Sequence, residues 1–253
     1  MHPFADHFST IARAYAAARP TYPDALFAHL ASLAPARRRA WDCAAGNGQA
    51  TRQLAPFFAE VLGTDASAAQ IGEAPAQPGV VYRVAPAEAS GIDSASVDLV
   101  TVAQALHWLD LPAFYREARR VLVPGGVLAV WCYGFQQVDD AGLDRLLQRF
   151  YGETVGPYWA PERRLVEEGY RTVPFPFEEL PAPPFEMAHD WVLGELLAYL
   201  RTWSATNRFA SVRGFDPVSP LAAELAPLWG PAETPRRVRW PLSLRIGRGG
   251  GLE

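Results

Sequence analysis

Trp41-Asp42-Cys43-Ala44-Ala45-Gly46-Asn47-Gly48-Gln49, continuing to Val61-Leu62-Gly63-Thr64-Asp65, is the stretch that decides the fold. An acidic residue closes a short apolar strand, and a turn with two closely spaced glycines follows. Residues 49–58 then read as a helix, and residues 60–63 as a second strand ending at another acid, Asp65. Gly46 and Gly48 lack the Cβ atoms that would hold a ligand away from the turn, and both tolerate positive φ. In an open α/β sheet, ligands bind outside the carboxyl ends of the strands, at the switch point beside the first strand. Asp65 stands one helix and one strand beyond Gly48, where a carboxylate can accept both hydroxyls of a ribose. The stretch reads as a nucleoside site.

A dinucleotide fingerprint would be G-x-G-x-x-G/A. From Gly46 the chain reads Gly-Asn-Gly-Gln-Ala-Thr, which puts Thr51 at the third small position. Asp42 precedes the turn and would repel a pyrophosphate, whereas an acid there suits a ligand carrying an ammonium or sulfonium group. A nicotinamide-dependent dehydrogenase is therefore the weaker reading of the same sheet.

The rest of the composition bounds the problem. A chain of 253 residues holds one sizeable core, read as one domain plus a cap. Its 49% hydrophobic content and net charge of −4 give no support to a nucleic-acid partner. All 23 basic residues are arginines, which excludes Schiff-base and P-loop lysine chemistry. Arg236, Arg237 and Arg239 form a local cluster, and Arg37-Arg38-Arg39 reads as a solvated helix end. Cys43 and Cys132, both in apolar strands, offer neither a disulfide framework nor zinc spacing, so a reducing, cytoplasmic setting is expected. No signal peptide or membrane span is evident, and residues 249–253 read as a tail outside the fold.

Three downstream stretches carry a resemblance. Ser96-Val97-Asp98-Leu99-Val100, Ala103-Gln104-Ala105-Leu106-His107-Trp108 and Arg120-Val121-Leu122-Val123-Pro124-Gly125-Gly126 follow the glycine turn in order. With it, they resemble the class I S-adenosylmethionine-dependent methyltransferases, whose first motif is D-x-G-x-G-x-G. Ala44 stands where that motif has its first glycine, and Gln49-Ala50 follow the last. Ala12, Tyr15, Arg19-Pro20 and Tyr22-Pro23 resemble the start of the trans-aconitate methyltransferase-like group.

The resemblance implies a doubly wound α/β fold. Its seven-stranded, mostly parallel sheet would have an antiparallel last strand and a helical cap. Residues 1–34 would form a lid segment, 35–135 the S-adenosylmethionine-binding core, and 136–248 the cap helices with the last two strands. Strands are expected at residues 80–84, 97–102, 127–133, 185–188 and 237–246. Helices are expected at 24–33, capped by Asp24, and at 111–122, capped by Asp110. Further helices are expected at 139–151, 161–169, 193–203 and 219–228. By the same resemblance, Tyr15 and Arg19 hold the methionine carboxylate, a task suited to a guanidinium fork. Ala87 and Glu88 meet adenine through a backbone amide and an acid, and Ala66 and Gln70 flank the ring. Asp42, Ala44, Gly46, Gly48, Asp65, Ala103 and Gln104 complete the cofactor contacts.

The implied activity is methyl transfer to a small molecule, at an oxygen of a small acid, by a monomer or homodimer. His107 is the candidate for the chemistry, as a base or as an orienting hydrogen-bond donor; a structural histidine anchoring the loop beside Trp108 is the other reading. Tyr133, Trp159, Arg201, Trp203 and Arg208 are candidates from the cap, the aromatics for the sulfonium and the arginines for an anionic acceptor. A protein that binds the cofactor without catalysis remains open.

Overall fold

The computed structural model describes residues 20–249. Strands β1 (Arg39–Cys43), β2 (Glu60–Asp65), β3 (Val80–Val84), β4 (Val97–Ala103) and β5 (Leu122–Tyr133) lie parallel in the order β3-β2-β1-β4-β5. The long strand β9 (Arg236–Arg248) runs antiparallel beside β5, and β8 (Phe185–Trp191) pairs with β9 in turn. The order reverses at β1, which places the first glycine turn at the switch point of the sheet. Among the described residues nine strands are present rather than the expected seven. The additions, β6 (Gln137–Val138) and β7 (Glu178–Leu180), both pair with β9. At two and three residues they are too short to leave a periodic signal in sequence.

The central strands read as continuous apolar runs because both faces of the sheet are covered. Alternate residues enter two separate cores. Ala40, Leu99, Val127, Ala129 and Trp131 pack against Leu26, Phe27 and Leu30 of α1 (Asp24–Leu33). Trp41, Val100, Leu128 and Val130 face Phe114, Ala118 and Val121 of α4 (Leu111–Val121). Asp98 breaks the apolar run of β4, is fully buried, and has a clear reason to be there. Its carboxylate accepts the backbone N–H groups of Arg38 at 2.9 Å and Arg39 at 3.1 Å, pinning the chain at the entry to β1.

Local signals explain most element ends. Asp110 caps α4 by accepting the N–H of Ala113 at 3.2 Å. Asp24 is instead the first residue of α1; Pro23 holds the cap position, and no side chain caps that helix. Extended Ala34, restricted by the proline after it, ends α1 as expected. The helix α2 (Gln49–Leu54) stops short of the expected Phe58, and its last apolar residues turn before β2. Pro124-Gly125-Gly126 lies within β5 rather than before it. The pairing jumps from Val97↔Leu122 to Leu99↔Val127, and Gly125 at φ +75° absorbs the irregularity.

The cap is built from α5 (Ala141–Arg149), α6 (Arg163–Glu167), α7 (Leu193–Arg201), α8 (Ser204–Arg213) and α9 (Val218–Trp229). A one-turn π-helical segment, Phe150–Thr154, extends α5. No sequence signal announced α8, whose buried residues are only Ala205, Thr206 and Phe209. The cap carries the first core onward through Leu196, Leu200, Leu221, Leu225 and Trp229. Arg236, Arg237 and Arg239 each pair with an aspartate, respectively Asp140, Asp190 and Asp139. Among the described residues no helix is long and apolar enough to cross a membrane.

Candidate functional site

The turn after β1 takes three left-handed residues in close succession, Ala44 at φ +54°, Gly46 at +56° and Gly48 at +82°. This coils the chain back onto β2. Ala45 N–H donates to the Thr64 carbonyl at 2.9 Å, and Gly46 N–H donates to Asp65 Oδ2 at 2.8 Å. Asp65 Oδ1 accepts the N–H of Ser67 at 2.8 Å. One carboxylate therefore joins the turns that follow β1 and β2. Ala44 accepts its left-handed backbone despite its Cβ, at about 1–2 kcal/mol. Gly48 cannot be replaced so simply: a Cβ there would lie 2.0 Å from the Tyr82 hydroxyl.

Asp42 is placed differently from the simplest expectation. It is fully buried behind the turn, and its oxygens accept the hydroxyls of Thr51 at 2.6 Å and Thr101 at 2.8 Å. Burial pushes its pKa up to about 6, against the opposing pull of the two threonine hydroxyls. It anchors α2 to the sheet and presents no surface to a ligand. Gln70, in α3 (Ala68–Gly72), packs beside the turn, with its Oε1 3.7 Å from where a Cβ on Gly46 would stand. Ala66 is exposed at the end of β2 and Ala87 is buried. Glu88 accepts the N–H of Asp110 at 3.3 Å, joining the loop after β3 to the start of α4. Asp65, Gly46, Ala66, Gln70, Ala87 and Glu88 thus belong to the loops at the carboxyl ends of β1, β2 and β3. Tyr15 and Arg19 lie outside the described residues.

At the end of β4, Gln104 adopts φ +56° and uses its side chain as a piece of sheet. Its Nε2 donates to the Tyr133 carbonyl at 3.0 Å and its Oε1 accepts the Tyr133 N–H at 2.8 Å. Beyond it opens a cavity of about 60 Å³, lined by Gln104, His107, Trp108, Tyr133, Trp159 and Arg163, with Tyr199, Trp203 and Ser204 behind them. Among the described residues no aspartate or glutamate lines it. A larger hollow of about 680 Å³ between α2 and β8 contains none of the predicted site residues that are described. The smaller cavity brings His107 and Arg163 together.

Within it, His107 Nδ1 lies 2.8 Å from the Tyr170 hydroxyl. Burial, helped by the positive charge of Arg163, lowers the His107 pKa to about 3, so the ring is neutral at physiological pH. Arg163, from α6, stacks 4.7 Å over the ring of Trp159 and donates from Nε to the Tyr151 hydroxyl at 2.9 Å. Tyr151 in turn hydrogen-bonds Glu167, so a phenol separates that carboxylate from the guanidinium. Among the described residues no carboxylate pairs with Arg163 directly. The sequence missed it because Arg163-Arg164 looks like any exposed helical charge pair.

Tyr133, Trp159 and Trp203 are brought to the cavity as expected. Arg201 and Arg208 are not. Arg201 pairs with Asp216 at 3.0 Å on the surface, and Arg208 is exposed on α8. Both lie on cap helices that turn their charged faces to solvent.

Comparison with known proteins agrees with this geometry. Residues 41–130 match the methyltransferase domain family. A Dictyostelium discoideum protein named as a methyltransferase is 36% identical over 216 residues, covering 84% of this chain and 82% of that protein. A solved structure from Anaeromyxobacter dehalogenans, named as a type II methyltransferase, superposes with a TM-score of 0.86 at 47% identity, covering 92% and 98% of the two chains. A Haemonchus contortus phosphoethanolamine N-methyltransferase solved with S-adenosyl-L-methionine shares the fold, with a TM-score of 0.50 at 18% identity, covering 98% of this chain and 58% of that one. The glycine turn and the acid that ends β2 lie at the switch point of the sheet, and the chain belongs to the class I S-adenosylmethionine-dependent methyltransferases.

Proposed function

We propose that the chain methylates an oxygen of a small acid, held as its carboxylate in the cavity between Gln104 and Arg163. Arg163 carries this reading. It is a guanidinium in a cavity wall that carries no acidic residue among the described residues, and its fixed fork suits a carboxylate. About 60 Å³ holds one carboxylate-sized group rather than a whole molecule, so the body of the acceptor lies outward, against half-exposed Trp108.

S-adenosylmethionine supplies an electrophilic methyl group on a sulfonium. The residues here supply position and dryness. Asp65, Gly46, Gly48 and Ala44 with Asp42 behind them seat the nucleoside end. Ala66, Gln70, Ala87 and Glu88 frame adenine, and Ala103 and Gln104 close the methyl-donating end; Tyr15 and Arg19 are assigned to the methionine carboxylate. One carboxylate oxygen lone pair forms the new C–O bond as the C–S bond breaks, and that electron pair stays on sulfur. Opposite charges vanish together, leaving a neutral ester and a thioether, so a water-poor cavity favours the step. Residues 35–135 make up the cofactor-binding unit, residues 136–248 supply the cap and last two strands, and the setting is cytoplasmic.

The test is transfer of labelled methyl groups to a panel of small mono-, di- and tricarboxylates, with amines and phenols alongside. Base-labile methyl esters are expected. Arg163→Gln should raise the acceptor KM tenfold or more while leaving S-adenosylhomocysteine affinity intact. Methylation of amines or phenols alone would overturn the reading.

A further inference from the structure

We propose that Tyr170 is a positioning residue that fixes His107 as the Nε2–H tautomer, making it a hydrogen-bond donor to the acceptor oxygen and not a base. The inference rests on the carboxylate reading above and deepens it. Tyr170 is fully buried and holds a left-handed backbone, at φ +59°, directly after Gly169 at φ +61°. A tyrosine in that region is strained, and its surroundings enforce it. Arg245 grips the Tyr170 carbonyl at 2.9 Å and the Val173 carbonyl at 2.6 Å. A Cβ on Gly169 would fall 2.5 Å from Ser243 Oγ, so this turn is pressed against β9. The strain ends in one polar contact, the phenol against His107 Nδ1 at 2.8 Å.

That contact has only one proton assignment that fits its neighbours. Burial raises the Tyr170 pKa well above the ordinary phenol value, so the hydroxyl keeps its proton. Among the described residues His107 Nδ1 is the one hydrogen-bond partner of this buried hydroxyl, so the phenol proton has no other acceptor and is donated to Nδ1. The imidazole proton then sits on Nε2, the nitrogen left for the cavity that His107 lines. Among the described residues the charged and titratable groups facing the ring are Tyr170 and Arg163, and neither accepts a proton from it. Two donors therefore converge on the acceptor, the His107 Nε2–H and the Arg163 guanidinium. Such a pair selects acceptors that arrive already ionised, since among the described residues no group lining the cavity removes a proton.

Ring ¹⁵N spectra of the intact protein test this directly, with His107→Gln identifying its signal among the five histidines. The expected result at neutral pH is a protonated Nε2 and an Nδ1 that accepts a hydrogen bond. An Nδ1–H ring or an imidazolium overturns the proposal. Tyr170→Phe should leave S-adenosylhomocysteine affinity unchanged, mix the tautomers and lower kcat for a carboxylate acceptor tenfold or more. If that variant fails to fold, His107→Gln against His107→Ala serves instead. The amide donates but cannot act as a base, so it should recover at least tenfold of the turnover lost in His107→Ala; equal losses overturn the donor role. An Nε2–H ring in a protein that methylates only amines would leave the tautomer standing and refute the acceptor class instead.

Discussion

Gly46 N–H donates to Asp65 Oδ2 at 2.8 Å, so the acid that ends β2 also holds the turn that ends β1. With Ser67 N–H on its other oxygen, Asp65 holds together the turns that follow β1 and β2. The shape of both turns is tied to one side chain.

Asp65→Ala should therefore act twice. It leaves two backbone donors without their charged acceptor, each worth roughly 1.5–3 kcal/mol, so the melting temperature should fall. It also removes the ribose acceptors, so S-adenosylhomocysteine affinity should drop by a factor of ten or more. Calorimetric titration of the folded variant separates the effects. Undiminished affinity would show that the ribose does not sit on Asp65.

Ala44→Gly should stabilise the protein. Ala44 holds φ +54°, where a Cβ costs about 1–2 kcal/mol. The more flexible unfolded chain of the glycine variant returns part of that gain, roughly 0.4–1 kcal/mol. Urea unfolding should show a net increase of about 0.5–1 kcal/mol with an unchanged m-value. A loss of stability would mean that the Ala44 methyl makes packing contacts that outweigh its strain.

Asp42 sets a pH dependence with a definite sign. Its folded pKa of about 6 lies above the ordinary 3.8, so the folded state binds the proton more tightly than the unfolded one. Below the lower value both states are protonated and the effect vanishes. Between the two values it grows, and above about pH 6 the full cost of the buried charge is present, on the order of 3 kcal/mol. Asp42→Asn removes this titration. The stability of Asp42→Asn relative to the parent should climb as pH rises from about 4 to 6 and then level off. A difference that stays flat across that range would mean that Asp42 does not titrate there.

Gln136 is fully buried, yet neither its Oε1 nor its Nε2 has a hydrogen-bond partner among the described residues. Unpaired buried amide groups cost about 1–3 kcal/mol. Gln136→Leu, close in volume and apolar, should raise stability by about 1–2 kcal/mol, read as a higher urea midpoint. Destabilisation would point to a bound water that satisfies the amide.

How much was legible beforehand depended on the range of the interaction. Asp110 capping α4, Pro35 ending α1 and the apolar runs of β1, β4 and β5 are local events, and adjacent residues announce them. Asp98 looked anomalous in a buried strand because its partners, the Arg38 and Arg39 amides, belong to another strand's entry. Helix α8 was silent because it buries few residues, and β6 and β7 because they are so short. In the site, the glycine turn and Asp65 could be read from spacing along one βαβ unit. Arg163 could not, since nothing nearby in sequence distinguishes it from Arg164 beside it.

The sequence by itself determined the doubly wound sheet and, through the resemblance carried by its short motifs, the methyltransferase class. The sheet depends on strand periodicity and small residues at a turn, and the motifs are contiguous stretches, so all are short-range features. Only the tertiary structure decided which arginine lines the cavity beyond Gln104, that Asp42 lies buried behind the turn, and that Tyr170 meets His107. Each of these joins side chains from separate elements, and their environment exists only once the sheet and cap have packed together.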